Sequence, residues 1–357
     1  MKIIHCSDIH LDSRMERNLP AARARERNAE ICLTFGRMIR CALEWGVEAV
    51  LISGDLFDTE RVCTQTVDFV LDQIRKAECV QFFYLRGNHD ENRDVFRGRE
   101  WPANLHGFGS CWNSYRMGNV VITGLELDDD NWQTMYSALS LQPEDVNLVM
   151  LHGQVSTQPG AEQIAVSQLR GKHIRYLALG HIHSYQQEKL DLDGTYCYCG
   201  CLEGRGFDEC GRKGFVLLEI EDQRLESRFV PFGKRELHEV MVDITGLTTV
   251  TEIQSAMEAA AAVIDASSLV KFTLTGSYTL ETQKDLRFLK KALEPSFYFV
   301  KVKDESRLLI DQRSYEHDVS LKGEFIRMVM ASDRTDEEKE TIICCGIRAL
   351  SGEEVAL

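Results

Sequence analysis

Five short clusters in this sequence carry the side chains that bind divalent metal ions: Asp8-Ile9-His10, Gly54-Asp55-Leu56-Phe57-Asp58, Gly87-Asn88-His89-Asp90, His152-Gly153 and Gly180-His181-Ile182-His183. Taken singly, most have a plainer reading. Asp8-Ile9-His10 and Asn88-His89-Asp90 suit strand-end turns, strand-Gly-Asp recurs in many folds with Asp as an N-cap, and a lone His152 means little. Gly180-His181-Ile182-His183 is the strongest single element. Their company changes the weight, because each follows an apolar run with the character of a buried strand. A sheet built from those strands delivers all five clusters to its carboxyl edge, where open α/β folds keep their chemistry.

The donors are mixed: the carboxylates of Asp8 and Asp55, the amide of Asn88, and the imidazoles of His10, His152, His181 and His183. Oxygen together with imidazole suits manganese, iron or zinc, whereas an all-oxygen set would suit magnesium or calcium. Only two of these ligands are anionic. Two divalent ions therefore leave the site at about +2, which matches the charge of roughly −2 on a phosphodiester in its five-coordinate transition state. That balance favours phosphate-ester hydrolysis over peptide or acyl chemistry. In the expected mechanism Asp55 bridges the ions, and a hydroxide held between them attacks phosphorus in line. Asp8 and His10, two apart in an extended segment, can grip one ion together. His89 follows Asn88 and points elsewhere, which frees it to bind phosphate and protonate the leaving oxygen. Asp58 is expected to orient His89 by fixing its tautomer.

The elements that must position these groups are legible from periodicity. Strands are expected over Met1 to Cys6, Val47 to Ser53 and Val80 to Leu85, with helices from Pro20 to about Trp45 and from Thr64 to Cys79 between them. Apolar residues Ile31, Phe35, Met38, Ile39 and Leu43 mark the first helix, and Val67, Val70, Leu71 and Ile74 the second. This β-α-β-α-β order predicts parallel pairing with right-handed crossovers. Further strands follow at 120–122, 147–151 and 176–179, and those at 196–199, 214–220 and 227–230 read as hairpins. His106 reads as a loop or core histidine. Past Pro231-Phe232-Gly233 the ligand-type clusters stop, and strand-helix-strand-helix-strand follows. Two helices end the chain, with Thr335 and Glu338 as a capping box. The expected division is a phosphoesterase domain over 1–233, an α+β capping domain over 234–310 and a helical tail over 311–357.

Composition sets the remaining bounds. Hydrophobic content of 44% and charged content of 27% are ordinary for a globular protein. No apolar run reaches the roughly 18 to 20 residues of a membrane helix. The first residues enter a strand without the core of a signal peptide, so the expected location is the cytoplasm and no membrane partner is expected. The twelve cysteines read as reduced thiols; Cys197, Cys199 and Cys201 lack zinc-finger spacing and read as small buried hydrophobes. A formal net charge of −15 argues against a surface coated for nucleic acid, but not against a local groove. Arg86, Arg93, Arg97, Arg99 and Arg205 are expected to cluster near the site, and for each of them a solvated surface position is the plainer reading.

The order Asp-x-His, Gly-Asp-x-x-Asp, Gly-Asn-His-Asp, lone His, Gly-His-x-His resembles the signature of the calcineurin-like metallophosphoesterases. The opening Cys6-Ser7-Asp8-Ile9-His10-Leu11-Asp12 is similar to that of the SbcD-type DNA repair nucleases, and the likeness covers approximately Met1 to Phe232. It implies an α/β fold: a layered sandwich of sheets flanked by helices, with a small α+β capping domain and a helical tail. It further implies one ion held by Asp8, His10, Asp55 and His183, and another by Asp55, Asn88, His152 and His181, with His89 catalytic. Manganese dependence, 3′ to 5′ exonuclease and endonuclease activity on DNA, a homodimer and an SbcC-type coiled-coil ATPase partner belong to the same implication. The tail helices would either dock on that partner or pack on the cap. Leu11-Asp12-Ser13 departs from the Leu-Gly of the nearest SbcD proteins and suits a related short exonuclease branch. Two rival readings stand beside this one. A small-nucleotide phosphodiesterase or pyrophosphatase would use the same site, although a cap of about 75 residues favours a polymer. A non-catalytic scaffold would have been free to lose Asn88 or His89.

Overall fold

The computed structural model describes residues 1–15, 19–58, 62–89, 95–96, 98–309 and 315–350. Asp90, Arg93 and Arg97 lie outside them. The chain divides into two compact units, Met1–Leu237 and His238–Leu357.

In the first unit, β1 (Lys2–Cys6), α1 (Ala21–Glu44), β2 (Ala49–Ser53), α2 (Thr64–Lys76) and β3 (Gln81–Leu85) alternate, and the three strands pair in parallel as their order predicts. Pro20 precedes α1, and Ala24, Ile31, Phe35, Met38, Ile39 and Ala42 form its buried stripe. Leu43, expected in that stripe, is exposed because Ala42 occupies the inward position instead. Helix α2 buries Val67, Val70, Leu71 and Ile74 as its spacing requires. Asp12 adopts φ +65°, where glycine would sit without strain. Its two carboxylate oxygens accept from Cys63 N–H at 2.6 Å and Thr66 Oγ1 at 2.8 Å, at the N-terminus of α2. The Asp12 departure from the Leu-Gly pattern thus serves as a helix cap supplied from a distant loop.

The remaining elements of this unit are β4 (Leu105–Gly107), β5 (Asn113–Met117), β6 (Val120–Gly124), the short α3 (Met135–Ala138), β7 (Val146–His152), β8 (Gln154–Val155), β9 (Gln163–Ile164), β10 (Ile174–Gly180), β11 (Gln186–Lys189), β12 (Thr195–Tyr198), β13 (Gly214–Glu221) and β14 (Arg224–Pro231). They complete two six-stranded sheets, β14-β13-β1-β2-β3-β4 and β11-β12-β10-β7-β6-β5. Ile3, Leu51 and Phe83 of the first sheet and Leu148, Met150, Tyr176 and Ala178 of the second share one buried cluster, which makes the pair a sandwich. The hairpin expectation holds for β13 with β14, and β12 forms a hairpin too, but with β11 and in the other sheet. On its other side β12 lies parallel to β10. His106 sits in β4, stacked on Phe83 and 2.8 Å from Gln81 Oε1.

The second unit is built on a sheet of β15 (Leu237–Asp243), β16 (Leu269–Thr275) and β18 (Phe299–Asp304), with the two-residue strands β17 (Ser277–Tyr278) and β19 (Arg307–Leu308) paired beside it. Helices α4 (Val250–Ala260) and α5 (Leu286–Leu293) cover it through Ile253, Met257, Leu289 and Leu293. A Thr249–Glu252 capping box opens α4. The tail forms α6 (Leu321–Met330) and α7 (Asp336–Leu350), and Glu338 N–H donates to Thr335 Oγ1 as that box requires. Ile326, Val329 and Ile343 pack with Leu280 and Leu308 in a small apolar cluster beside the main core of the second unit. Among the described residues no helix is long and apolar enough to cross a membrane.

Candidate metal centre

Parallel pairing carries the ends of β1, β2, β3, β7 and β10 to one edge, and the five clusters meet there. Asp8, His10 and His183 each place a donor atom within 4.8 Å of the others, and so do Asp8, Asp55 and His152. His10 Nε2 and His183 Nε2 face each other at 3.2 Å, with Asp8 Oδ1 3.7 Å from His183 Nε2. On the other side His152 Nε2 is 3.0 Å from Asn88 Oδ1, which lies 3.4 Å from His181 Nδ1. Asp55 Oδ2 stands between these groups, 3.7 Å from His10 Nε2 and 3.5 Å from His152 Nε2. All seven sequence-predicted ligands are therefore brought together.

The donor set fits divalent cations on its own terms. Asp8 and Asp55 are each 1% exposed, and among the described residues no lysine or arginine pairs with either. Their hydrogen bonds come from the Ser7 hydroxyl and His181 N–H for Asp8, and from His89 N–H for Asp55. Two adjacent buried carboxylates surrounded by imidazole lone pairs are costly unless a cation sits among them. Backbone conformation agrees: Asp8, His10, Asp55 and His181 have φ of 50°, 50°, 51° and 102°, sparsely populated values for residues with a Cβ, and such strain collects at functional sites.

The glycines of the motifs make room for one another's ligands. A Cβ on Gly54 would collide with the His152 ring, and one on Gly87 with the Asp55 carboxylate. The far nitrogens of three imidazoles are also held. His152 Nδ1 is 2.9 Å from Ser53 O, His10 Nδ1 is 2.9 Å from Asp58 Oδ1, and His183 Nδ1 is 2.7 Å from Glu209 Oε1. Partners of this kind fix the tautomer and aim the other nitrogen at a metal.

Asp58 consequently has a different principal partner from the expected one. Its carboxylate is 3.7 Å from His89 Nδ1 but 2.9 Å from His10 and 2.7 Å from Arg205 Nη1. The chain turns after Asp55 so that the Asp58 carboxylate lies nearer to His10 and Arg205 than to His89. Burial would raise the Asp58 carboxyl, yet His10 and Arg205 hold it below its ordinary value. Burial likewise opposes ionisation of Glu209, and His183 with Arg205 outweighs it, keeping that carboxyl well below the usual range. Burial also lowers His10, whereas for His183 the neighbouring Glu209 and Asp8 overcome burial and raise it.

Sequence reasoning missed Glu209, which lies in the irregular stretch Gly204 to Cys210, where neither periodicity nor an adjacent ligand marks it. Of the arginines, Arg205 lies in the centre, Arg86 forms a bidentate pair with Glu126, and Arg99 pairs with Asp68 at 2.7 Å at the surface. A cavity of about 450 Å³ opens beside Asn88, His152 and His181, lined also by Arg86, Glu126 and Glu162. Cys197, Cys199 and Cys201 are buried, and burial pushes the Cys197 thiol up to about 12, as suits small apolar side chains.

The chain is 27% identical over 204 residues to the DNA double-strand break repair protein Mre11 of Sulfolobus acidocaldarius, covering 54% of this chain and 52% of that one. It is 24% identical over 256 residues to Mre11 of Haloferax volcanii, covering 69% and 55%. A third relative, the SbcD component of the SbcCD nuclease of Staphylococcus saprophyticus, is 23% identical over 270 residues, covering 65% and 69%. The chain thus spans about half the length of the archaeal relatives. The family model described as Calcineurin-like phosphoesterase matches residues 1–185, just over half of the chain and all seven ligand positions. The chain belongs to the calcineurin-like phosphoesterase family, whose members bind two divalent metal ions.

Proposed function

We propose that this protein is a two-metal phosphodiesterase acting on DNA, a 3′ to 5′ exonuclease and endonuclease of DNA repair that works with manganese. The observation that carries the phosphodiesterase reading is the convergence of seven neutral and anionic donors, Asp55 among them, with only two buried carboxylates in the set. The step to DNA is supported by the names of the relatives, two repair proteins and a nuclease component. On this reading Asp8, His10, Asp55 and His183 hold one ion, and Asp55, Asn88, His152 and His181 the other. Bound ions supply Lewis acidity toward the phosphate and lower the pKa of water. His89 lies at the rim, 44% exposed and with its ring 4.9 Å from that of His10, where it reaches substrate and delivers a proton to the leaving oxygen. An SbcC-type ATPase partner extends the proposal, since the staphylococcal relative is named as one component of the SbcCD nuclease, and a homodimer completes it.

Two observations favour a second reading, a small-nucleotide phosphodiesterase or pyrophosphatase. The cavity beside Asn88 is large enough for a mononucleotide, and the chain as a whole is acidic. Both readings are tested by incubating an end-labelled linear duplex with manganese, beside a small phosphodiester, for wild type and His89→Ala. Stepwise shortening of the duplex by wild type and not by the variant supports the nuclease. Turnover of the small ester with untouched DNA moves the function to small nucleotides.

A further inference from the structure

One guanidinium reaches both sides of the group formed by Asp8, His10 and His183. Arg205 Nη1 donates to Asp58 Oδ1 at 2.7 Å, while its Nη2 and Nε donate to Glu209 Oε1 at 2.8 and 3.1 Å. Its backbone N–H closes the ring on Glu209 Oε2 at 2.7 Å. These carboxylates are the ones that hold His10 Nδ1 and His183 Nδ1, at 2.9 and 2.7 Å. The turn that presents Arg205 is fixed from behind, because the fully buried Arg27 donates Nη2 to Gly204 O at 2.9 Å. The far side of the centre has a separate support: His152 is oriented by the backbone carbonyl of Ser53, with no part for Arg205.

We infer that Arg205 is the positioning residue of one metal subsite. It locks Asp58 and Glu209, and through them the tautomers of His10 and His183, so that both Nε2 atoms converge before an ion arrives. The inference rests on the two-metal reading of the centre and is independent of whether the substrate is DNA. Lysine cannot replace Arg205, since a compact ammonium does not span two carboxylates as a planar fork does. Arg205 and Glu209 both lie beyond the residues 1–185 covered by the family model.

The test is a titration of metal-free wild type, Arg205→Ala, Arg205→Lys and Glu209→Gln with manganese by calorimetry, with bound ions counted by elemental analysis. Circular dichroism of each variant reports folding, and the isosteric Glu209→Gln stands in if Arg205→Ala does not fold. Wild type is expected to take two ions. All three variants are expected to keep one at wild-type affinity and to weaken the other by about 10- to 100-fold. Two ions at unchanged affinity in a folded variant overturn the role of Arg205, and equal weakening of both overturns its assignment to one subsite. Fewer than two ions in wild type overturns the two-metal reading itself.

Discussion

His89 differs from the other imidazoles of the centre in its exposure: 44% of its side chain is open, against none of that of His10. An exposed imidazole beside a phosphate is suited to proton delivery, and that role depends on how badly the leaving oxygen needs a proton. His89→Asn is therefore expected to slow hydrolysis of an alkyl phosphodiester by about 10²- to 10⁴-fold, and to slow that of a nitrophenyl diester far less, because nitrophenolate leaves unaided. Equal losses on both esters would remove His89 from the proton-transfer step. At this scale the candidate ligands that the structure brings together are legible in the sequence, because metal binding restricts residue types so tightly. The principal partner of Asp58 is not, because sequence distance to His89 says nothing of how the turn after Asp55 folds under His10. Glu209 is invisible because its contact is formed by tertiary approach alone.

At the scale of elements, α1 is tied to the site through charge as well as through its apolar stripe. Arg27 donates to Glu30 at 2.5 Å and to Glu203 at 2.9 Å, and Lys234 and Arg235 reach Glu30 at 2.6 and 2.8 Å. Burial opposes ionisation of Glu30, but Arg235, Lys234 and Arg27 outweigh it and draw its carboxyl from 4.5 down to about 2. A depressed carboxyl stabilises the fold above its unfolded value and loses that effect as pH falls through its folded one. Stability gained from Glu30, about 3 kcal/mol, should thus be full at neutral pH and fade between about pH 5 and 2. Denaturant unfolding of wild type and Glu30→Gln should show a gap that narrows on acidification to about pH 3; a constant gap would refute it. The helices and central strands are readable from period and punctuation. Strand β11 is not, because Gln186–Lys189 is an exposed polar edge with no alternation, and the partner of β12 depends on which sheet it enters.

At the scale of the molecule, all seven candidate ligands lie in Met1–Leu237. Ions that bind only the folded state raise its stability by mass action, by about 2.7 kcal/mol at a hundredfold excess over the dissociation constant. Scanning calorimetry is expected to show two transitions, with manganese moving the one that belongs to the first unit and chelator returning it. If both transitions move together, the units unfold as one. The change of character near residue 233 is visible in the sequence as the end of ligand-type clusters. The attachment of the tail to the second unit is not, since the small apolar surfaces of α6 and α7 carry no label for the partner they cover.

The mutual clearance at Gly54 and Gly87 has an evolutionary consequence. A glycine in one motif is the space occupied by a side chain from another, so neither can drift alone: a single methyl group at Gly87 would register as a defect of Asp55. Descendants of this chain can lose the centre in one step. They can remodel it only by changing distant stretches of the gene together, which makes five scattered motifs a single heritable character.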